Sequence, residues 1–397
     1  MNDIILYGAF DRHNYGDLLF PLIMKRVIQK EFPSMKIEIA GLIDSDLSAF
    51  GAPKTVRINK ALLNSKSNAV IILAGGDVVA CDWQSAYGYL LPTFIFPFYE
   101  RVACRFFPKV MDKVVAKMAG LTSAMPFNLN QLDAGIHRKI IYNSVGATGV
   151  SSVEGDDKAY LNQIMNEADF VSVRDTFSQQ QLMRIGYSNP ILAPDSATVM
   201  STVISVDELT EKTSESTLKL IEKHRKNYLV FQISEARVKG KEAIFASQLS
   251  DIFKIKKLPI VFIAIGNAAG HNDSVGINKI TSLLNKDVEF ETYLSGNVFD
   301  LMNIIRNASC YCGTSLHGLI TSMSFCVPRV ALLPNLRKQV NYMNTWDLEH
   351  MPRGIEPSEL VASVDIAIAT PAQDLINLSD KLTKNYMDNF EELSMLF

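Results

Sequence analysis

The chain has 397 residues, 48% of them apolar, and a formal net charge of −3. At about 150 residues per domain that length allows two or three domains, with apolar mass enough for a large buried core. The balance of charge excludes a protein whose main partner is nucleic acid, which needs a basic face.

The start, Met1 to Tyr7, has no basic stretch ahead of its apolar run and does not read as a signal peptide. Apolar runs of strand length then recur at residues 4–8, 36–40, 69–74, 140–145, 170–173 and 191–193. In the second half they lie at 228–233, 260–265, 288–292, 309–312 and 329–333. Several carry Val and Ile at successive positions, as parallel strands covered on both faces do. Helical patterns lie between them, at 17–31, 176–185, 298–306 and 316–325. This rhythm predicts an α/β class with two Rossmann-like, doubly wound domains.

The rhythm breaks at about residues 205–226, a polar stretch rich in Glu, Lys, Ser and Thr. The expected division is an N-terminal domain over 1–205 and a C-terminal domain over 206–397. The sequence leaves a final helix, 371–396, free to pack back on the first domain. An insertion at about 80–120 does not fit the pattern. Tyr87 to Phe98 is apolar and aromatic but broken by Pro92 and Pro97. Arg101, Arg105, Lys109, Lys113 and Lys117 follow at fourfold spacing, on one helical face. The run is too short to span a membrane. A buried insertion or dimer contact with a solvated basic face is the favoured reading. The alternative is a peripheral element touching anionic lipid or a lipid-linked substrate, at the inner face of the membrane.

Five cysteines (Cys81, Cys104, Cys310, Cys312, Cys326) are odd in number and scattered. They suit buried thiols in a reducing cytoplasm, not a disulfide framework. No His–carboxylate cluster has ligand spacing, so no metal is expected.

The candidate chemistry sits just past the carboxyl ends of strands, where open α/β sheets bind ligands. Asn14, Gly16 and Asp17 open the helix after the first strand, and Gly75 and Gly76 follow the third run. Glycines there let backbone come close to a ligand. Arg174 ends the 170–173 strand, where a guanidinium can grip a carboxylate or phosphate; a structural ion pair with Asp175 is the plain alternative. Asp195 borders the cleft or, preferably, caps a helix. In the second half Gly313 bends the chain, Thr314 or Ser315 is the N-cap, and His317 lies in the first helical turn, a natural anion cradle. Arg337 and Lys338 emerge beside it after the next strand. Two such sheets face to face make a cleft with Arg174 on one wall and His317 and Lys338 on the other.

In this order the motifs Asn14-Tyr15-Gly16-Asp17, Gly75-Gly76, Val171-Ser172-Val173-Arg174-Asp175, Ala193-Pro194-Asp195 and Gly313-Thr314-Ser315-Leu316-His317-Gly318 are informative. Over most of residues 3–345 the chain resembles the polysaccharide pyruvyl transferase family. The resemblance implies a GT-B-like fold with its site between the domains. It implies transfer of pyruvate from phosphoenolpyruvate, the donor substrate, to a sugar of a surface polysaccharide or its precursor, as a ketal across two hydroxyls and without a cofactor. By position, Arg174 matches the family's donor-holding arginine, His317 its catalytic histidine and Lys338 a basic residue downstream. Many members have an arginine two residues before the histidine, where this chain has Ser315. Either Arg337 or Arg329 supplies that charge, with Thr314 and Ser315 adding hydrogen bonds, or this member uses another donor, or its activity has drifted. The rival readings are a nucleotide-sugar glycosyltransferase, with a pocket around Ile265-Gly266-Asn267 and Gly296, and a non-catalytic partner in polysaccharide assembly.

Overall fold

A computed structural model of the chain describes residues 1–91, 95, 98–99, 108–224, 227–266 and 273–397. Arg101, Arg105 and Asn267 lie outside the described residues. Among the described residues, two parallel sheets divide the strands by sequence. The first contains β1 (Asn2–Tyr7), β2 (Ile37–Gly41), β3 (Val56–Arg57), β4 (Ser65–Leu73), β5 (Lys139–Val145), β6 (Phe170–Val173) and β7 (Ile191–Leu192). Its order is β3-β2-β1-β4-β5-β6-β7. The second contains β8 (Leu229–Gln232), β9 (Ile260–Ile263), β10 (Phe290–Tyr293), β11 (Cys310–Gly313), β12 (Arg329–Leu332) and β13 (Arg353–Ile355), in the order β10-β9-β8-β11-β12-β13. Every apolar run named above forms a strand. β3 and β13 are additions; both are edge strands of two or three residues, too short to show a period.

Each sheet is doubly wound, because its middle strands are apolar on both faces. In β1, Ile4 and Leu6 face one core while Ile5 and Tyr7 face another. This is the twofold alternation of a strand with both sides covered. The first of these cores is not private to one sheet. It runs from Ile4, Leu6 and Ile72 through Ile23 and Tyr15 into Leu229, Ile260, Leu319 and Ile320 of the second half. The polar stretch at 205–226 holds the helices Val206–Lys212 and Glu215–His224, the first capped by Ser205, whose Oγ accepts from Glu208 N at 3.1 Å.

The last helix, Ala372–Ser394, lies across both halves. Ser379 Oγ donates to Ser324 O at 3.1 Å in the second half. Further along, Asn143 Nδ2 donates to Tyr386 Oη at 2.9 Å, and Asn389 Nδ2 donates to Asn143 Oδ1 at 2.9 Å, tying the helix to β5. Cys310 and Cys312 are fully buried in β11, and the thiols of Cys81, Cys310, Cys312 and Cys326 are unbridged. In the insertion, the helix Pro108–Ala119 forms, with Lys113 and Lys117 exposed. Among the described residues no helix is long and apolar enough to cross a membrane.

Candidate active site

The carboxyl edges of the two sheets enclose a cavity of about 530 Å³. From the first half it is lined by Arg12, Asn14, Asp17, Gly76, Asp77 and Arg174, and from the second by Gln232, Arg237, Thr314, Ser315, His317, Arg337 and Lys338.

At its floor three side chains converge. Arg174 leaves the end of β6 and is 2% exposed. Asp195, fully buried, follows β7. Asp195 Oδ1 accepts from Ala197 N at 3.0 Å, so the expected cap is real. Its other oxygen faces inward, with Arg174 Nη1 at 3.5 Å and His317 Nε2 at 3.7 Å. Arg174 and His317 therefore meet through one shared carboxylate. Burial alone would raise the Asp195 pKa, but His317 and Arg174 outweigh it and hold the group below its ordinary 3.8. Burial would likewise strip charge from Arg174, but Asp77, Asp195 and Asp175 reverse that and keep it cationic. Asp175 is 3.9 Å from Arg174 Nε and also caps the next helix, its Oδ1 accepting from Ser178 N at 2.7 Å. Arg174 Nε, Asp195 Oδ2 and His317 Nε2 are buried, with no hydrogen-bond partner among the described residues. They meet only as ion pairs at 3.5–3.9 Å, and because Arg174 and His317 line the cavity the cluster is a candidate ligand site.

The turn before His317 is fixed from behind. Thr314 N donates to Gln232 Oε1 at 3.0 Å and its hydroxyl to the same oxygen at 3.3 Å. Its carbonyl accepts from Gln339 Nε2. Thr314 thus serves the turn, and its donors are not free for a ligand. Ser315 is the N-cap, its Oγ accepting from Gly318 N at 3.3 Å, and Ser315, Leu316 and His317 of this first turn line the cavity.

The helix Tyr15–Glu31 braces the imidazole from the first half. Asn14 caps it, Oδ1 accepting from Gly16 N at 3.1 Å, and its loop bridges to Gly266 of the second half. Tyr15 Oη and Thr321 Oγ1 are 2.8 Å apart across the interface. A Cβ on Gly16 would fall 2.0 Å from His317 Nδ1. Gly16 is needed for room and lies behind the cavity wall, not on it. Gly75 is also behind: its φ is +123°, and a Cβ there would meet Phe20, which stands edge-on to His317 at 5.0 Å. Asn14, Asp17 and Gly76 do line the cavity.

Lys338 crosses the cleft to Asp77, Nζ to Oδ2 at 2.7 Å, while Thr148 N donates to Asp77 Oδ1 at 3.0 Å. Burial opposes the Asp77 charge, but Lys338 and Arg174 outweigh it and hold its pKa below 3.8. Arg337 is exposed, lines the cavity and makes no ion pair among the described residues. Arg329 is fully buried and gripped by Asp347, Nε to Oδ2 at 2.8 Å, so it cannot supply the charge absent at Ser315. The helix Arg337–Trp346 docks on the first half. Trp346 Nε1 donates to Arg174 O at 2.7 Å, and Asp195 N donates to Tyr342 Oη at 3.2 Å. Cys81 also lines the cavity, and burial pushes its thiol up to about 12, away from a nucleophile's range.

The model of the polysaccharide pyruvyl transferase family matches residues 14–335. The chain belongs to that family. The match runs from the Asn14 cap through the Gly16 clearance, Arg174, Asp195 and His317, and stops two residues before Arg337. No curated protein matches the sequence significantly. Solved structures similar to this polysaccharide pyruvyl transferase family member include UDP-GlcNAc 2-epimerase of Methanocaldococcus jannaschii in complex with UDP-GlcNAc and UDP. It is 13% identical, with 93% of each chain covered and a TM-score of 0.54. The S. aureus MnaA–UDP co-structure is 12% identical over 97% of this chain and 91% of that one, TM-score 0.55. Anabaena Alr3699/HepE in complex with UDP and glucose is 14% identical over 100% of both chains, TM-score 0.52. At these identities the likeness establishes the fold alone, the GT-B-like architecture that the family resemblance implied.

Proposed function

We propose that the protein takes pyruvate from phosphoenolpyruvate and builds it as a ketal onto a sugar of a surface polysaccharide or its precursor. One observation carries this reading beyond family membership: an arginine and a histidine from opposite halves share a buried carboxylate at the floor of one cavity. Arg174 is placed to hold the donor's carboxylate or phosphate, with Arg337, Lys338, the Ser315 hydroxyl and the first-turn amides around it. Lys338 reaches the donor by exchanging its Asp77 partner.

His317 carries the proton. Asp195 faces Nε2, Gly16 packs against the Nδ1 side, and the ring borders the cavity where the substrate would sit. The donor's methylene carbon takes a proton and C2 becomes electrophilic. One sugar hydroxyl adds to C2, the C2–O bond to phosphate breaks, and a second hydroxyl closes the ketal. Of the two hydroxyl protons, one ends in the new methyl group and the other leaves with phosphate.

Thermal unfolding with added ligands tests this. Stabilisation by phosphoenolpyruvate, growing with concentration as linkage requires, is the expected result. Stabilisation by UDP- or GDP-sugars and none by phosphoenolpyruvate would replace this reading with nucleotide-sugar transfer on the same fold.

A further inference from the structure

His317 belongs to the second half by its place in the chain and to the first half by what orients it. Its Nε2 faces Asp195, and the Nδ1 side of its ring rests on the α-carbon of Gly16. Phe20 stands edge-on to the ring at 5.0 Å. Gly16 and Phe20 are four residues apart on the helix Tyr15–Glu31, so they share a face. These contacts fix the imidazole but not the backbone that carries it.

The backbone has its own support, and it is polar. Thr321, one turn after His317, donates its hydroxyl to His317 O at 2.7 Å. A threonine hydroxyl has a single proton. With that proton spent on His317 O, the hydrogen bond of 2.8 Å between Tyr15 Oη and Thr321 Oγ1 has Tyr15 as its donor. A directed chain therefore runs from Tyr15 of the first half, through Thr321, to the carbonyl of His317. Burial raises the pKa of Tyr15, so its hydroxyl keeps the proton the chain needs. Tyr15 and Thr321 are 1% and 0% exposed, within an apolar junction between the halves. Phenylalanine and valine would fill the same space there, so packing alone does not call for two hydroxyls. Tyr15 is anchored in turn, its N donating to Ile265 O at 3.2 Å.

We propose that Tyr15, acting through Thr321, is a positioning residue for His317. It sets the first turn of the helix Leu316–Ser324 against the first half, so that the imidazole meets Asp195 and Gly16 in one pose. The proposal rests on the pyruvyl-transfer reading for the proton that His317 carries.

The test uses the full chain with Tyr15→Phe, Thr321→Val and Thr321→Ser. Tyr15→Phe removes one oxygen and should lower kcat for pyruvyl transfer about tenfold, short of the roughly 10²-fold that a 1 Å misplacement costs. KM for phosphoenolpyruvate should hold. Thr321→Val should reproduce the loss and report on the chain even if Tyr15→Phe fails to fold. Thr321→Ser keeps the hydroxyl and should keep the wild-type rate. The double variant Tyr15→Phe/Thr321→Val should lose no more than Thr321→Val alone, as for two links of one chain. Wild-type kcat in Tyr15→Phe overturns the proposal even if the unfolding midpoint falls, and so does a loss in Thr321→Ser equal to that in Thr321→Val. A second readout needs no turnover. In protein labelled with ¹³C at histidine Cε1, the His317 signal is the one lost in His317→Gln, and it should move in Tyr15→Phe and in Thr321→Val. An unmoved signal in both overturns the proposal. A moved signal in a protein that binds no phosphoenolpyruvate upholds the chain and sinks the pyruvyl reading instead.

Discussion

The floor of the cavity and its rim are built on opposite principles. At the floor, Arg174 and Asp195 are buried, His317 is half-buried, and the three face one another across the two halves. At the rim, Arg237 and Arg337 are exposed without ion pairs among the described residues, and Lys338 has 52% of its side chain exposed despite its bond to Asp77. Balanced burial fixes geometry and favours chemistry. An open rim favours electrostatic capture, which salt screens. Substitutions at His317 and Asp195 should therefore act on turnover, and rim substitutions on affinity.

The largest effect expected is at His317. His317→Ala should lower the turnover of pyruvyl transfer by about 10²–10⁴-fold with phosphoenolpyruvate affinity nearly kept. Near-normal turnover would remove the floor from the chemistry altogether. Asp195→Asn keeps the cap geometry but removes the charge shared by Arg174 and His317. Turnover should fall by about 10²-fold, as for a misoriented catalytic group, again with the loss in kcat and not in KM. Gly16→Ala sharpens the same point without touching a charge. Its methyl must displace the imidazole, and a shift near 1 Å costs about 10²-fold in rate. Wild-type rates in this variant would show that the ring's position is not what matters.

The smaller effects concern stability. Ser315→Ala removes an N-cap and should cost about 1 kcal/mol in urea unfolding. An effect on donor affinity larger than on stability would mean that the hydroxyl binds the donor directly. Asp77 and Asp195 both have pKa values depressed below 3.8 in the fold. The stability they contribute is complete above 3.8 and is lost as pH falls through the lower folded-state values. Wild-type stability should thus fall more steeply below about pH 3.8 than that of Asp77→Asn, and parallel acid-unfolding curves would deny the cross-cleft pair any role.

Much of this was legible in the chain. The strands could be read because their apolar runs are long and rich in β-branched residues. Edge strands such as Val56–Arg57 have no run to read. Arg174 and His317 announced themselves by lying past strand ends. Asp195 was harder: its capping role was visible, but a carboxylate has two oxygens, and only the fold shows where the second one points. Gly16 carries no local sign that a ring 301 positions later will rest on its α-carbon. Thr314 misleads for the same reason, since its hydrophilic character suggests a ligand while Gln232 takes both its donors.

The returning helix Ala372–Ser394 bears on the junction between the halves. It touches the helix bearing His317 through Ser324 and the helix bearing Gly16 through Met24, whose sulfur lies 2.7 Å from Tyr386 Oη. The helix follows both of them in the chain, so it closes over a junction that the two already make at Tyr15 and Thr321. Its removal should lower the unfolding midpoint and loosen that junction without abolishing it.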